Sequence, residues 1–119
     1  MSIDYKAEIQ RLKEELDVTV VAHYYQRDEV FEMADIIGDS LELARRCKAD
    51  ANPWVVFCGV GFMGQSVKVI APEKRVLMPK IACCAMARMM DGSYFEESEQ
   101  YMVDRGIDKE NLLPITYIN

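Results

Sequence analysis

Hydrophobic positions along the chain alternate between short β-branched runs and longer segments with apolar residues at helical spacing. The short runs predict four strands, over residues 18–22, 54–58, 75–78 and 113–118. The longer segments predict helices over residues 5–16, 28–37, 41–49, 63–70, 84–90 and 94–105. Strands that alternate with helices favour a parallel sheet with right-handed crossovers. The predicted fold is therefore α/β, a three-layer α/β/α domain with a four-stranded parallel sheet.

Capping residues mark one helix boundary clearly. Gly38 is predicted to end the helix over 28–37, and Asp39 is predicted to cap the helix that follows. Glu42 stands three residues after Asp39 and completes a capping-box pattern.

The bulk composition fits one domain and limits the binding partners and cellular locations to be expected. The chain has 119 residues, half of them apolar, and no repeat or linker divides it. A net charge of −6 argues against a nucleic-acid or anionic-membrane surface. No apolar run approaches the roughly 20 residues of a membrane span, and residues 1–17 lack the apolar centre of a signal peptide. A cytoplasmic protein is expected.

The cysteines do not form a disulfide framework in this interpretation. No CxxC motif indicates a zinc ribbon or a thioredoxin-type site. The thiols are therefore expected to be reduced; they are Cys47, Cys58, Cys83 and Cys84.

Residues with chemical potential follow the ends of the predicted strands. In open parallel sheets, ligands bind beyond the carboxyl ends of the strands. The residues predicted at that edge are His23, Tyr24, Tyr25, Gln26, Cys58, Gly59, Cys83, Cys84, Tyr117 and Asn119.

His23 is the only histidine, and it has two interpretations. It is either a partly buried histidine satisfied by one hydrogen bond, or a carboxylate partner or general acid/base. Tyr25 could present a phenol to the same space, whereas core packing is expected for Tyr24. Ser40 follows the capping residue, and its hydroxyl at a helix N-terminus suits a carboxylate or a phosphate.

Residues 59–64 spell GxGxxG between a strand and a helix. This pattern supports an alternative function, a nucleotide-binding α/β module. The acidic residue that dinucleotide sites carry about 20 positions later is missing, because that region reads Met78-Pro79-Lys80. A tight turn with close packing is the preferred interpretation.

A thiolate near a helix start suits metal ligation or nucleophilic chemistry, which makes Cys83 and Cys84 candidates, and small buried residues among alanines are the alternative. Iron–sulfur clusters normally need three or four thiolates, so this segment is incomplete by itself. Cys47 and Cys58 are interpreted as small buried residues. The methionines at helical spacing are expected in the core; they are Met86, Met89 and Met90.

Six short motifs, in order and spacing, resemble the quinolinate synthase family, the A protein of NAD biosynthesis. The resemblance covers the chain from about residue 18 onward. Its motifs are Ala22-His23-Tyr24-Tyr25-Gln26, Gly38-Asp39-Ser40-Leu41, Phe57-Cys58-Gly59-Val60, Phe62-Met63, Pro72-Glu73-Lys74 and Tyr117-Ile118-Asn119.

The resemblance implies an enzyme, a transferase, that condenses iminoaspartate with dihydroxyacetone phosphate to quinolinate in de novo NAD biosynthesis. It implies three similar α/β/α domains around one active site and a [4Fe–4S] cluster that acts as a Lewis acid. Residues 1–119 then correspond to the first domain. The second and third domains are expected partners, and this chain alone is expected to be inactive.

The resemblance also assigns roles to individual residues. Cys84 aligns with the cluster ligand, and Cys83 stands where glycine is usual. Tyr25 corresponds to the tyrosine implicated in proton transfer. The residues implied to contact substrate are His23, Ser40, Tyr117 and Asn119.

Overall fold

The computed structural model describes residues 3–115, which form two compact units, one ending at Cys83 and one beginning at Cys84. The first unit contains the helices α1 (Tyr5–Leu16), α2 (Asp28–Phe31), α3 (Ser40–Ala49) and α4 (Gly61–Ile70). Its strands are β1 (Val18–His23), β2 (Ile36–Gly38), β3 (Trp54–Cys58) and β4 (Arg75–Leu77). The second unit contains helix α5 (Gly92–Val103) between 3-10 turns at Met86–Arg88 and Lys109–Asn111. None of the helices within residues 3–115 has the length and apolar character needed to cross a membrane.

The sheet is parallel throughout, with the strand order β2-β1-β3-β4, so the predicted four-stranded parallel sheet is confirmed. The step from β1 to β2 runs in one direction, and the steps to β3 and β4 run in the other. Because crossovers are right-handed, α2 lies on one face, and α3 and α4 lie on the opposite face. Ion pairs connect α1 to the segment after α2 and place it on the α2 side. This arrangement is the expected α/β/α domain.

The helix predicted over residues 28–37 is wrong in its second half. Only its first turn is helical, and Ile36 pairs with Val21 in the sheet. Asp35 helps to start this strand, since its backbone N–H donates to Val20 O and its carboxylate accepts from Val20 N–H, both at 2.8 Å. Gly38 therefore ends a strand and not a helix. Tertiary pairing overrides the local helical pattern here.

The predictions for the C-terminal third also need correction. Residues 113–115 form no strand, and residues 116–118 of that predicted strand lie outside the described residues. The helix predicted over 84–90 is reduced to one 3-10 turn. No residue from 84 to 115 is buried, so the three methionines predicted in the core are exposed; they are Met86, Met89 and Met90.

The core lies between the sheet and the layer formed by α3 and α4. Side chains on one face of β1 and β3 meet apolar residues of the two helices, and α3 and α4 also contact each other. The largest fully buried side chains are Phe57, Leu43, Val21, Val55, Val67 and Cys47. Full burial of each large aliphatic or aromatic side chain contributes about 1.5–3 kcal/mol. The prediction that Cys47 is a buried packing residue is confirmed.

A buried lysine joins the segments that lead into the strands. Lys74 is 5% exposed, and its Nζ donates to Asp50 O and, at 2.6 Å, to Asn52 O. The Thr19 hydroxyl donates to the Asp50 carboxylate at 2.5 Å and accepts from the Asn52 amide at 3.0 Å. Lys74 thus ties the end of α3 to the segments before β3 and β4. The Pro72-Glu73-Lys74 motif has a structural explanation in this contact.

Helix α1 is attached mainly through polar contacts. Its N-cap Asp4 accepts from Lys6 and Ala7 N–H, and none of its residues is buried. Lys13 forms an ion pair with Asp35 at 2.6 Å and donates to Met33 O at 3.0 Å.

Candidate functional site

The carboxyl ends of the neighbouring strands β1 and β3 form a topological switch point, because the connections after these two strands lead to opposite sides of the sheet. The connection after β1 runs to one side, and the connection from β2 crosses over β1 to the other. Crevices for ligands in open α/β sheets lie at such switch points. His23 ends β1 and Cys58 ends β3, so the structure brings both residues to this edge.

His23 and Cys58 lie on opposite faces of the sheet. Val21 and Phe57 are register partners, and both pack into the core on the α3 and α4 side. Side chains alternate along a strand, so His23 lies on the same side as Val21, whereas Cys58 lies opposite Phe57. Burial raises the pKa of the Cys58 thiol. Cys58 therefore shares the edge with His23 but not its face.

A tight turn holds the imidazole of His23. The Tyr25 N–H donates to His23 Nδ1 at 3.3 Å, and the Gln26 N–H donates to His23 O at 3.0 Å. The Tyr25 ring lies 4.7 Å from the imidazole, centroid to centroid, and the Tyr24 ring lies at 6.2 Å. Tyr25 is 80% exposed, so its phenol is presented at the surface beside His23. Tyr24 is 58% exposed, and its predicted core position is wrong because the chain leaves the strand at this residue.

Burial keeps His23 neutral. The side chain is 4% exposed, and this desolvation lowers the pKa of the imidazole, against an opposing effect of the Asp39 carboxylate. At neutral pH, one ring nitrogen of His23 therefore carries a proton and the other accepts a hydrogen bond.

Ser40 begins α3 at the same edge as His23. Gly38 pairs with His23 in the sheet, and its carbonyl accepts from Tyr24 N–H at 3.2 Å. The Asp39 carboxylate accepts from Glu42 N–H at 3.0 Å, which confirms the predicted cap. A Cβ at Gly38 would lie 3.0 Å from the Glu42 carboxylate, so glycine lets the first turn of α3 approach the strand end. The structure thus brings Ser40 to the edge that holds His23 and Tyr25.

The glycines of the GxGxxG segment allow close packing around the start of α4. The first N–H of α4, from Gly61, donates to Ala82 O at 2.9 Å and is thus directed at backbone. A Cβ at Gly64 would lie 2.6 Å from Met78 Sδ, and one at Gly59 would lie 2.7 Å from the Phe57 ring. These contacts support the interpretation as a tight turn and argue against the nucleotide-binding alternative.

The thiols do not gather within the described part of the chain. No group of three or more metal-ligating side chains occurs among residues 3–115. Burial raises the pKa of Cys47 to about 11 and leaves that thiol unsuited to ligation. Cys83 is exposed and Cys84 is half-buried just before the 3-10 turn at Met86–Arg88. Within residues 3–115, these thiols could contribute one ligand to a metal centre but do not form a complete set of ligands.

Two predicted site residues, Tyr117 and Asn119, lie outside the described residues. Sequence reasoning missed two features beside His23: the charge of Asp39, interpreted only as a cap, and the backbone N–H of Tyr25. The charge of Asp39 beside the site could have been predicted from its sequence position between Gly38 and Ser40. A backbone donor leaves no signal in sequence.

Comparison with known proteins gives a consistent family. The model of the family "NadA: Quinolinate synthetase A protein" matches residues 7–119. A quinolinate synthase of Helicobacter pylori is 49% identical over 116 residues, which cover 98% of this chain and 34% of the relative. One of Clostridioides difficile is 43% identical over 123 residues, covering 100% and 37%, and one of Methanocaldococcus jannaschii is 47% identical over 92 residues, covering 76% and 30%. The chain thus spans about a third of the length of these curated relatives. It belongs to the quinolinate synthetase A protein family.

Proposed function

We propose that this chain forms the first domain of an enzyme that condenses iminoaspartate with dihydroxyacetone phosphate to quinolinate in de novo NAD biosynthesis. The main support is one edge of the first unit, the topological switch point, where His23, Tyr25 and Ser40 all lie. The proposed reaction is inferred from family membership, and the side chains at this edge are chemically suited to it. We also propose that the reaction belongs to the transferase class.

The three side chains suit different parts of a dicarboxylate substrate. His23 offers a neutral imidazole and Ser40 a hydroxyl at the first residue of a helix, where the helix dipole favours negative charge. Tyr25 is exposed beside His23, and its phenol is the group proposed to transfer a proton. Tyr117 and Asn119 are proposed to complete the substrate contacts from this domain.

A [4Fe–4S] cluster is the proposed cofactor, and Cys84 is the residue of this chain proposed to bind it. When bound, such a cluster with one open iron supplies Lewis-acid polarisation of a substrate oxygen or nitrogen. The remaining ligands are proposed to come from the second and third domains, which this chain needs as partners. The contribution of residues 3–115 is the substrate edge together with one thiol.

Removal of either polar group should weaken substrate binding in the complete protein. Hydrogen bonds to charged groups contribute about 1.5–3 kcal/mol, so we expect Ser40→Ala and His23→Ala each to raise KM roughly ten- to a hundredfold. Steady-state kinetics with iminoaspartate would measure this loss. Ser66→Ala is the matched control, because within residues 3–115 the Ser66 hydroxyl forms a single hydrogen bond, which it donates to Phe62 O in α4 at 2.9 Å. Normal kinetics in both site variants would contradict the proposed site.

The 119-residue chain alone should form no quinolinate. A single proposed cluster ligand cannot hold the cofactor, and an incomplete site cannot direct binding energy to the transition state. An anaerobic assay after reconstitution with iron and sulfide, combined with sizing, would test this expectation. Turnover by a monomer would show that the division of labour between domains is different. Turnover by a trimer would mean that three copies replace the three domains.

A further inference from the structure

Strand β2 directs one of its carbonyls away from the sheet just before the turn that leads to Ser40. Its place in the order β2-β1-β3-β4 means that, within residues 3–115, only β1 pairs with it. The Gly38 carbonyl faces β1, because it accepts from Tyr24 N–H at 3.2 Å. Carbonyl directions alternate along a strand, so the Ile37 carbonyl points to the open side, where an edge strand lacks strand partners.

Arg46, in the second turn of α3, supplies a partner for this carbonyl. Its Nη1 donates to Ile37 O at 3.0 Å, and the same nitrogen lies 3.6 Å from a carboxylate oxygen of Glu42. The Arg46 side chain is 46% exposed, so its removal would leave no buried cavity. The guanidinium therefore connects the body of α3 with the last residue before Gly38.

Further contacts close a ring around Ser40. The Glu42 carboxylate lies close to Gly38, since a Cβ at that glycine would lie 3.0 Å from it. On the helix side, Glu42 N–H donates to the Asp39 carboxylate at 3.0 Å. Ser40 is the first residue of α3, is 3% exposed, and lies between these linked residues.

The position of Ser40 relative to His23 depends on this turn. Gly38 is the register partner of His23, and only Asp39 separates it from Ser40. A group that binds a ligand has to be held within about 0.5 Å of its productive position, which is the task of neighbouring hydrogen bonds. The contacts of Arg46 meet this requirement from the strand side of the turn, and the Asp39 cap meets it from the helix side.

We infer that Arg46 is a positioning residue for substrate binding, which holds the turn at the end of β2 so that the Ser40 hydroxyl keeps its place. The inference rests on the proposed function for the ligand of Ser40, a substrate carboxylate. Arg46 does not contact the substrate itself, and its effect passes through the turn. The competing explanation is that Arg46 only protects the open side of β2.

Kinetics of the complete protein test the inference. Arg46→Ala should raise KM for iminoaspartate about three- to tenfold with kcat retained, since it loosens a group that only binds. Arg46→Lys keeps a cationic donor for a single carbonyl and should recover most of this loss. Arg45→Ala is the matched control, because Arg45 is the exposed neighbour on the same helix and should leave KM unchanged. An unchanged KM in Arg46→Ala, or an equal increase in Arg45→Ala, would overturn the inference.

Stability and sizing separate positioning from protection of β2. The urea midpoint and elution volume of Arg46→Ala should match those of the wild type, as for most exposed substitutions. A lower midpoint or self-association, together with an unchanged KM, would assign to Arg46 only the protection of the edge strand and would overturn the inference.

A double-mutant cycle shows whether Arg46 acts through Ser40. The double variant Ser40→Ala/Arg46→Ala should have the same KM as Ser40→Ala, because the hydroxyl that Arg46 positions is already absent. Two increases in KM that multiply would show that Arg46 acts independently and would overturn the inference. An unchanged KM in Ser40→Ala would refute the proposed site itself. A raised KM in Ser40→Ala beside an unchanged KM in Arg46→Ala would overturn only the role of Arg46.

Discussion

Lys74→Met should lower the free energy of unfolding by about 2–6 kcal/mol, since the carbonyls of Asp50 and Asn52 then lose a buried donor and each unsatisfied group costs about 1–3 kcal/mol. Methionine has nearly the same length as lysine and fills the same space, so the loss reports the hydrogen bonds and not a cavity. Urea denaturation followed by circular dichroism would measure the change.

The control for this substitution is another lysine of the same unit. Lys48 is exposed on α3, and Lys48→Met should change the free energy of unfolding by less than about 0.5 kcal/mol. A similar loss in both variants would show that the lysine charge matters generally. No loss at Lys74 would mean that water replaces its Nζ at the two carbonyls.

Cys84→Ala should abolish iron–sulfur binding and activity in the complete protein, whereas Cys83→Ala should retain both. The reason is the proposed role of Cys84 as the one ligand from this domain, because a cluster with an open iron depends on each of its three thiolates. Iron content and visible absorbance after anaerobic purification would measure the effect. The adjacent cysteine is the matched control, since it changes the same chemical group one residue earlier. The reverse pattern would assign the ligand to Cys83.

Most of the fold was predictable, because long elements carry a clear period. β1 and β3 were recognised from their β-branched and aromatic residues, and α3 from its cap at Asp39. The strand Ile36–Gly38 was missed, since three residues cannot show a period and the preceding residues favour helix. The adjacent β-branched residues Ile36 and Ile37 were the available signal. Their pairing with β1 is a long-range contact that no local window contains.

The candidate site was predictable in its residues but not in its geometry. The strand-end positions of His23 and Cys58 follow from the β-branched and aromatic runs before them, and both residues lie at the predicted edge. The face on which each lies depends on which side α3 and α4 occupy, and a sequence does not state that side. Tyr24 is predicted in the core, but the turn after His23 directs it outward.

Because ion pairs attach α1 to the first unit, salt should affect this helix more than it affects the sheet. Lys13 and Lys6 hold the helix to Asp35 and Glu32, while the core lies on the other side of the sheet. The Lys6–Glu32 pair is exposed, and such a pair contributes at most about 1 kcal/mol and is screened by salt. The Lys13 side chain is only 12% exposed, so salt screens its pair with Asp35 less. Since none of the residues of α1 is buried, we expect this helix to have low local stability and to detach more easily at high ionic strength than the sheet unfolds. Its loss would leave Asp35 with only its partner Val20, so the short strand β2 would fray next.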